Sequence, residues 1–184
     1  MDPARRAALG AKRAAAGQAR EAARDAQALR LPVFLSEALG PAVRPIPPAE
    51  VRALWQALGD RAGFGTHGLC FVPPEAPGAL VQRDGESRAA FLARIAPLVA
   101  GEPPCAVIED LRDAGLRCAP ETALGEFDTL WRELPGHIAI IGAGMRWALL
   151  VRGTLPVEFV RLDPPAAGAG AQGGEAPHSR PQGG

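Results

Sequence analysis

The chain has no tyrosine, and aromatic residues of all kinds make up only 5% of its 184 positions. A single lysine, Lys12, stands against 19 arginines. Arginine, alanine, glycine and proline are all abundant, the pattern a GC-rich coding sequence produces. The arginines are therefore not in themselves a sign of bidentate phosphate recognition. No apolar run approaches the roughly 18 residues needed to cross a bilayer, which excludes a membrane-spanning helix. The first residues, "MDPARRAALGAKRAAAG", hold neither an apolar signal core nor a serine. No secretory or organellar leader is expected there, and the expected location is the cytoplasm.

Cysteine is scarce as well. Cys70, Cys105 and Cys118 are an odd number, and each lies among apolar neighbours such as "GLCFV" and "PPCAVI". That pattern predicts reduced, packed thiols and not a disulfide framework. A Cys70 nucleophile served by His67 or His137 has no supporting signature around it. Zinc needs four ligands, and only His67 and Cys70 stand at close spacing. Neither a metal nor a cofactor is expected.

Formal net charge is zero, but it is unevenly spread. Residues 1–30 carry seven basic and three acidic groups, whereas residues 31–163 carry twelve basic and sixteen acidic. Residues 1–30 are alanine-rich, with Leu9 and Leu29 as their only large aliphatic side chains after Met1, and read as a frayed helix or disordered arm. The 21 residues from Pro164 onward, "PPAAGAGAQGGEAPHSRPQGG", read as a disordered tail. One domain is expected in between, at about 31–163.

Within that domain "PPAEVRALWQALGD" is the clearest helix, with Val51, Leu54, Trp55 and Leu58 on one stripe and Gly59 as its expected stop. A second helix is predicted over about 87–100, with Phe91, Leu92, Ile95, Leu98 and Val99 inward and Pro97 disturbing it. A third is predicted over about 122–134, where Leu124, Phe127, Leu130, Trp131 and Leu134 share a face. Strands are predicted at 68–72, 105–109, 137–141, 145–152 and 157–162. The expected fold class is α+β: one small domain, its sheet mainly antiparallel, with a C-terminal three-stranded meander packed by amphipathic helices.

The segment "HIAIIGAGMRW" (137–147) imitates the opening of a dinucleotide-binding unit. The third small residue of G-x-G-x-x-G/A, needed for close helix packing, is replaced here by Trp147. Met145, Trp147, Leu149 and Val151 also alternate with Arg146, Ala148, Leu150 and Arg152, a period of two. The expected structure is a hairpin turned by the glycines.

Between Glu102 and Glu133 eight acids stand against three arginines. Glu109, Asp110, Asp113, Glu121, Glu126 and Asp128 are the expected contact residues for a basic protein partner, which a shared acidic face would steer. Immunity proteins that block basic nuclease toxins act in this way, and a non-enzymatic binding module of that kind is the expected function. The run "EDLRD" (109–113) is otherwise a solvated helix start, since acids favour a first turn. The alternative function is a small enzyme or ligand-binding protein. Its site would be formed by the "GFGTHG" loop (63–68) with Thr66 and His67, together with Glu109, Asp110 and His137. Nucleic acid is not expected at the acidic body, and the basic arm is the one segment whose charge suits it.

Overall fold

A computed structural model describes residues 3–62, 79–134, 136–153 and 155–162. The predicted strand at 68–72, the 63–68 loop with Thr66 and His67, Cys70 and the C-terminal tail lie outside the described residues. α1 spans Pro3–Leu39, and its residues from Arg5 to Arg24 are exposed to solvent. It runs through residue 30 without a break and meets the rest of the chain through Ala28, Leu31, Leu35 and Leu39. Helix propensity favours the alanine-rich half, and the buried aliphatic face of the second half anchors it.

The remaining elements are β1 (Arg44–Pro45), α2 (Pro48–Ala62), β2 (Leu80–Val81), α3 (Arg88–Val99), β3 (Cys105–Glu109), β4 (Ala114–Cys118), α4 (Pro120–Gly125), α5 (Phe127–Glu133), β5 (Ile138–Ile141), β6 (Trp147–Val151) and β7 (Glu158–Arg161). The seven strands form one sheet in the order β1-β4-β3-β5-β6-β7-β2, and every pairing is antiparallel. The fold is α+β, with the expected meander β5-β6-β7 forming one side of that sheet.

Both faces of the sheet are covered, so its period of two sorts residues between two cores and not between core and water. Val107, Ile138, Ile140, Trp147, Leu149 and Phe159 meet Leu35 of α1 and the inner sides of α3, α4 and α5. Ala106, Ala139 and Ala148, with Ile108, Ile141 and Leu150, meet Val51 and Leu58 of α2. The small side chains are on α2's face, where they let a single helix lie close to the strands.

Several local expectations need correction. Gly59 does not stop α2, which continues to Ala62. The helix expected over 122–134 is two short helices, starting at Pro120 and broken at Glu126, whose backbone leaves the helical region at φ −97° and ψ 16°. "EDLRD" is not a helix start: it is the end of β3 and the turn into β4, a strand the sequence reading omits. Leu54, Trp55 and Trp131, expected in the core, are half-buried, and Leu98, expected inward on α3, is exposed. Ser87 caps α3, its hydroxyl accepting from the Ala90 amide at 3.1 Å.

The glycine segment is a hairpin. β6 pairs antiparallel with β5, Ile141 opposite Ala148, through a short helical turn at Ala143–Met145 in which Gly144 takes φ +64°. A nucleotide-binding unit would need a helix and a parallel strand at this point. Gly142 is instead a steric requirement of the core, because a Cβ there would lie 2.3 Å from the Trp147 indole nitrogen.

Candidate functional site

Glu109, Asp110 and Asp113 stand at the β3–β4 turn, and the last two meet His137, Arg24 and Arg52 from other parts of the chain. Glu109 ends β3 with its side chain fully buried. Its two carboxylate oxygens accept from the amides of Leu111 at 3.1 Å and Arg112 at 2.9 Å, so the side chain ties the turn together. Burial pushes the Glu109 carboxyl above the usual carboxylate range, although those two amides favour its ionised form.

Asp110 faces the loop before β5. Its carboxylate accepts from the His137 amide at 2.9 Å and meets His137 Nδ1 at 2.7 Å, while the Asp110 amide donates to the His137 carbonyl at 3.2 Å. Two of these contacts hold the His137 backbone and the third orients its imidazole through Nδ1. Gly136 makes the approach possible: a Cβ there would lie 1.8 Å from Glu109 Oε1 and 2.7 Å from Asp110 Oδ1. The sequence shows "PG" at this point, which reads only as a helix breaker.

Asp113 turns the chain at φ +53° and is buried. One of its oxygens accepts from Arg24 of α1 at 2.8 Å and from Arg52 of α2 at 3.0 Å. Arg52 also reaches Asp25 at 3.2 Å, and the two carboxylates hold its guanidinium firmly protonated. This network joins α1, α2 and the turn across sequence separations of 89 and 61 residues, and no local signal announces Arg24 or Arg52 as its members.

The other expected contact residues sit elsewhere. Glu121 lies in the first turn of α4, just beyond the end of β4 that pairs with the start of β3. β3 rises about 3.3 Å per residue, so this end is roughly 13 Å along the strand from Glu109. Glu121 Oε1 accepts from the Gly101 amide at 3.0 Å, and that bond lowers its pKa. Glu126 accepts weakly from Thr129 at 3.4 Å, and Asp128 is exposed on α5. Glu121, Glu126 and Asp128 are all exposed, in contrast with Glu109 and Asp113.

Beside them a groove of about 390 Å³ runs between α3 and the α4–α5 pair. Ala89, Ala93 and Ala96 of α3 form one wall, Leu124 and Phe127 the other, and Glu121 and Asp128 stand among the lining residues. The alanines recur at i, i+4 and i+7, a legible signal that sequence reasoning left unused.

Among the described residues no three His, Cys, Asp or Glu side chains are grouped as they would need to be to hold a metal ion. No helix among them is long and apolar enough to cross a membrane. No protein-family model, curated protein or solved structure matches this chain.

Proposed function

We propose that this chain is a protein-binding module that takes a basic, partly apolar segment of another protein into the groove between α3 and α4–α5. The observation that carries the reading is the combination of an apolar lining with Glu121 and Asp128 in one groove. Such a groove suits a helix with apolar anchors on one side and basic side chains beside them. Charge complementarity at the rim acts mainly on the rate of encounter. A basic nuclease of the kind that immunity proteins block is one partner with this chemistry.

The test uses a labelled Leu/Lys amphipathic peptide followed by fluorescence anisotropy. Neutralising the three exposed acids (Glu121→Gln, Glu126→Gln, Asp128→Asn) slows association roughly tenfold at low salt and flattens its salt dependence. Ala93→Arg obstructs the groove and abolishes saturable binding. Binding indifferent to both changes would remove this reading.

A second reading has its own observation. The carboxylate of Asp110 orients the His137 ring through Nδ1, with the buried Glu109 beside it, an arrangement used for general acid–base work. This supports a small-molecule site at the β3–β4 turn. A fragment screen read by amide shifts tests it: ligands should move Gly136 and His137 first, and shifts confined to other residues count against it.

A further inference from the structure

The exposed half of α1 distributes its charge by face. Arg5, Arg6, Lys12, Arg13 and Arg20 fall within an arc of roughly 120° when placed at 3.6 residues per turn. Arg24, Gln27 and Arg30 continue the same side towards the body of the protein. The opposite side holds Ala7, Ala11, Ala14, Gln18 and Ala22, together with the two acids of this stretch, Glu21 and Asp25. An arginine-rich composition scattered by codon bias would place cations around the whole helix, so the segregation is a property of this element.

The line of cations ends in a recess. Arg24, Gln27 and Arg30 of α1 and Arg112 of the β3–β4 turn line a cavity of about 490 Å³ where the helix meets the body. Asp113, the nearest acid in this network, is buried and already shared between Arg24 and Arg52. From Arg5 to Arg30 the track is about 38 Å long at 1.5 Å per residue. Residues 3–30 contain no aromatic side chain, and Phe34, 58% exposed, is the sole aromatic of α1. A stacking platform for unpaired bases is therefore missing from this helix.

We propose that the basic face of α1, from Arg5 to Arg30, binds the phosphate backbone of nucleic acid without reading its sequence, and that the Arg24–Arg30–Arg112 recess receives a phosphate at the end of the track. A long, one-sided track of arginine and lysine side chains with an inert alanine back matches a linear polyanion better than a compact ligand. The surface is separate from the groove between α3 and α4–α5, and the two proposals stand or fall independently.

The experiment compares the full chain with a variant in which two charges change sides: Arg13→Ala and Arg20→Ala combined with Ala11→Arg and Gln18→Arg. Net charge is kept, and arginine, alanine and glutamine are all good helix formers, so the helix persists. With a 30-base-pair duplex of arbitrary sequence, the parent chain releases counterions from about five phosphates. Its affinity then falls about 500-fold between about 50 and 200 mM salt. The relocated variant should bind roughly tenfold or more weakly at low salt, with a salt slope shallower by about two. A single-stranded oligonucleotide of equal charge should bind no more tightly than the duplex, because stacking adds nothing. Equal binding by parent and variant would overturn the proposal. So would tighter, equally face-dependent binding to phosphatidylserine vesicles at matched phosphate, which would assign the track to an anionic membrane surface.

Discussion

Glu109 and Glu121 sit near opposite ends of the β3–β4 hairpin, and the same side chain does opposite work at the two places. Glu109 is enclosed, holds two backbone amides and has its carboxyl pushed up by burial. Glu121 stands in water, accepts one amide and has its carboxyl pulled down by that bond. One is enclosed in the scaffold and the other is exposed on the surface. An acidic stretch of sequence therefore contains two populations: acids used inside the fold (Glu109, Asp110, Asp113) and acids presented on α4–α5 (Glu121, Glu126, Asp128).

The largest test of this division acts on neither glutamate directly. Gly136→Ala places a methyl group where Glu109 Oε1 now lies, so the carboxylate and its turn must shift together. Overpacking at such a site costs about 3 kcal/mol, and the melting temperature of the variant should fall accordingly. Unchanged melting would mean that Glu109 moves aside freely and is not a structural tie. Glu109→Ala follows, at about 2 kcal/mol, because truncation removes the acceptor shared by two turn amides and leaves a gap where a fully buried side chain stood. Glu121→Ala should change stability much less, since water replaces its carboxylate at Gly101.

How much of this was legible before the structure depends on the range of the interaction concerned. Amphipathic stripes placed α2 and α3, and apolar runs bounded by Pro and Gly placed β3, because those signals are local. Trp147 identified the glycine hairpin by being too large for the alternative. β4 was missed because "AGLRC" has a glycine and an arginine where a strand is expected to show β-branched residues, and only its place between β1 and β3 makes it a strand. The acids at 109–113 looked like a solvated helix start for a related reason. Their partners are backbone amides two and three residues on, a histidine 27 residues away, and arginines 61 and 89 residues away. Only the first of these separations leaves a trace in a local pattern. The groove was partly legible in the spacing of Ala89, Ala93 and Ala96, but its acidic rim comes from another helix pair.

The smallest effect is also the sharpest test of the comparison, because it has a sign. The folded-state pKa of Glu109 is raised above its unfolded value. Its contribution to stability is therefore fully present below the unfolded value and declines as pH rises through the folded one. Glu121 is lowered, so its contribution is present above the unfolded value and is lost as pH falls through the folded one. Unfolding free energy measured across the carboxylate range, from about pH 3 to about pH 7, should separate the two. Glu109→Gln should flatten the decline on the upper limb and leave the acid limb alone, whereas Glu121→Gln should flatten only the acid limb, and only slightly, because the group is exposed. If both substitutions act on the same limb, the two carboxylates share one environment, and the division between scaffold acids and presented acids fails with it.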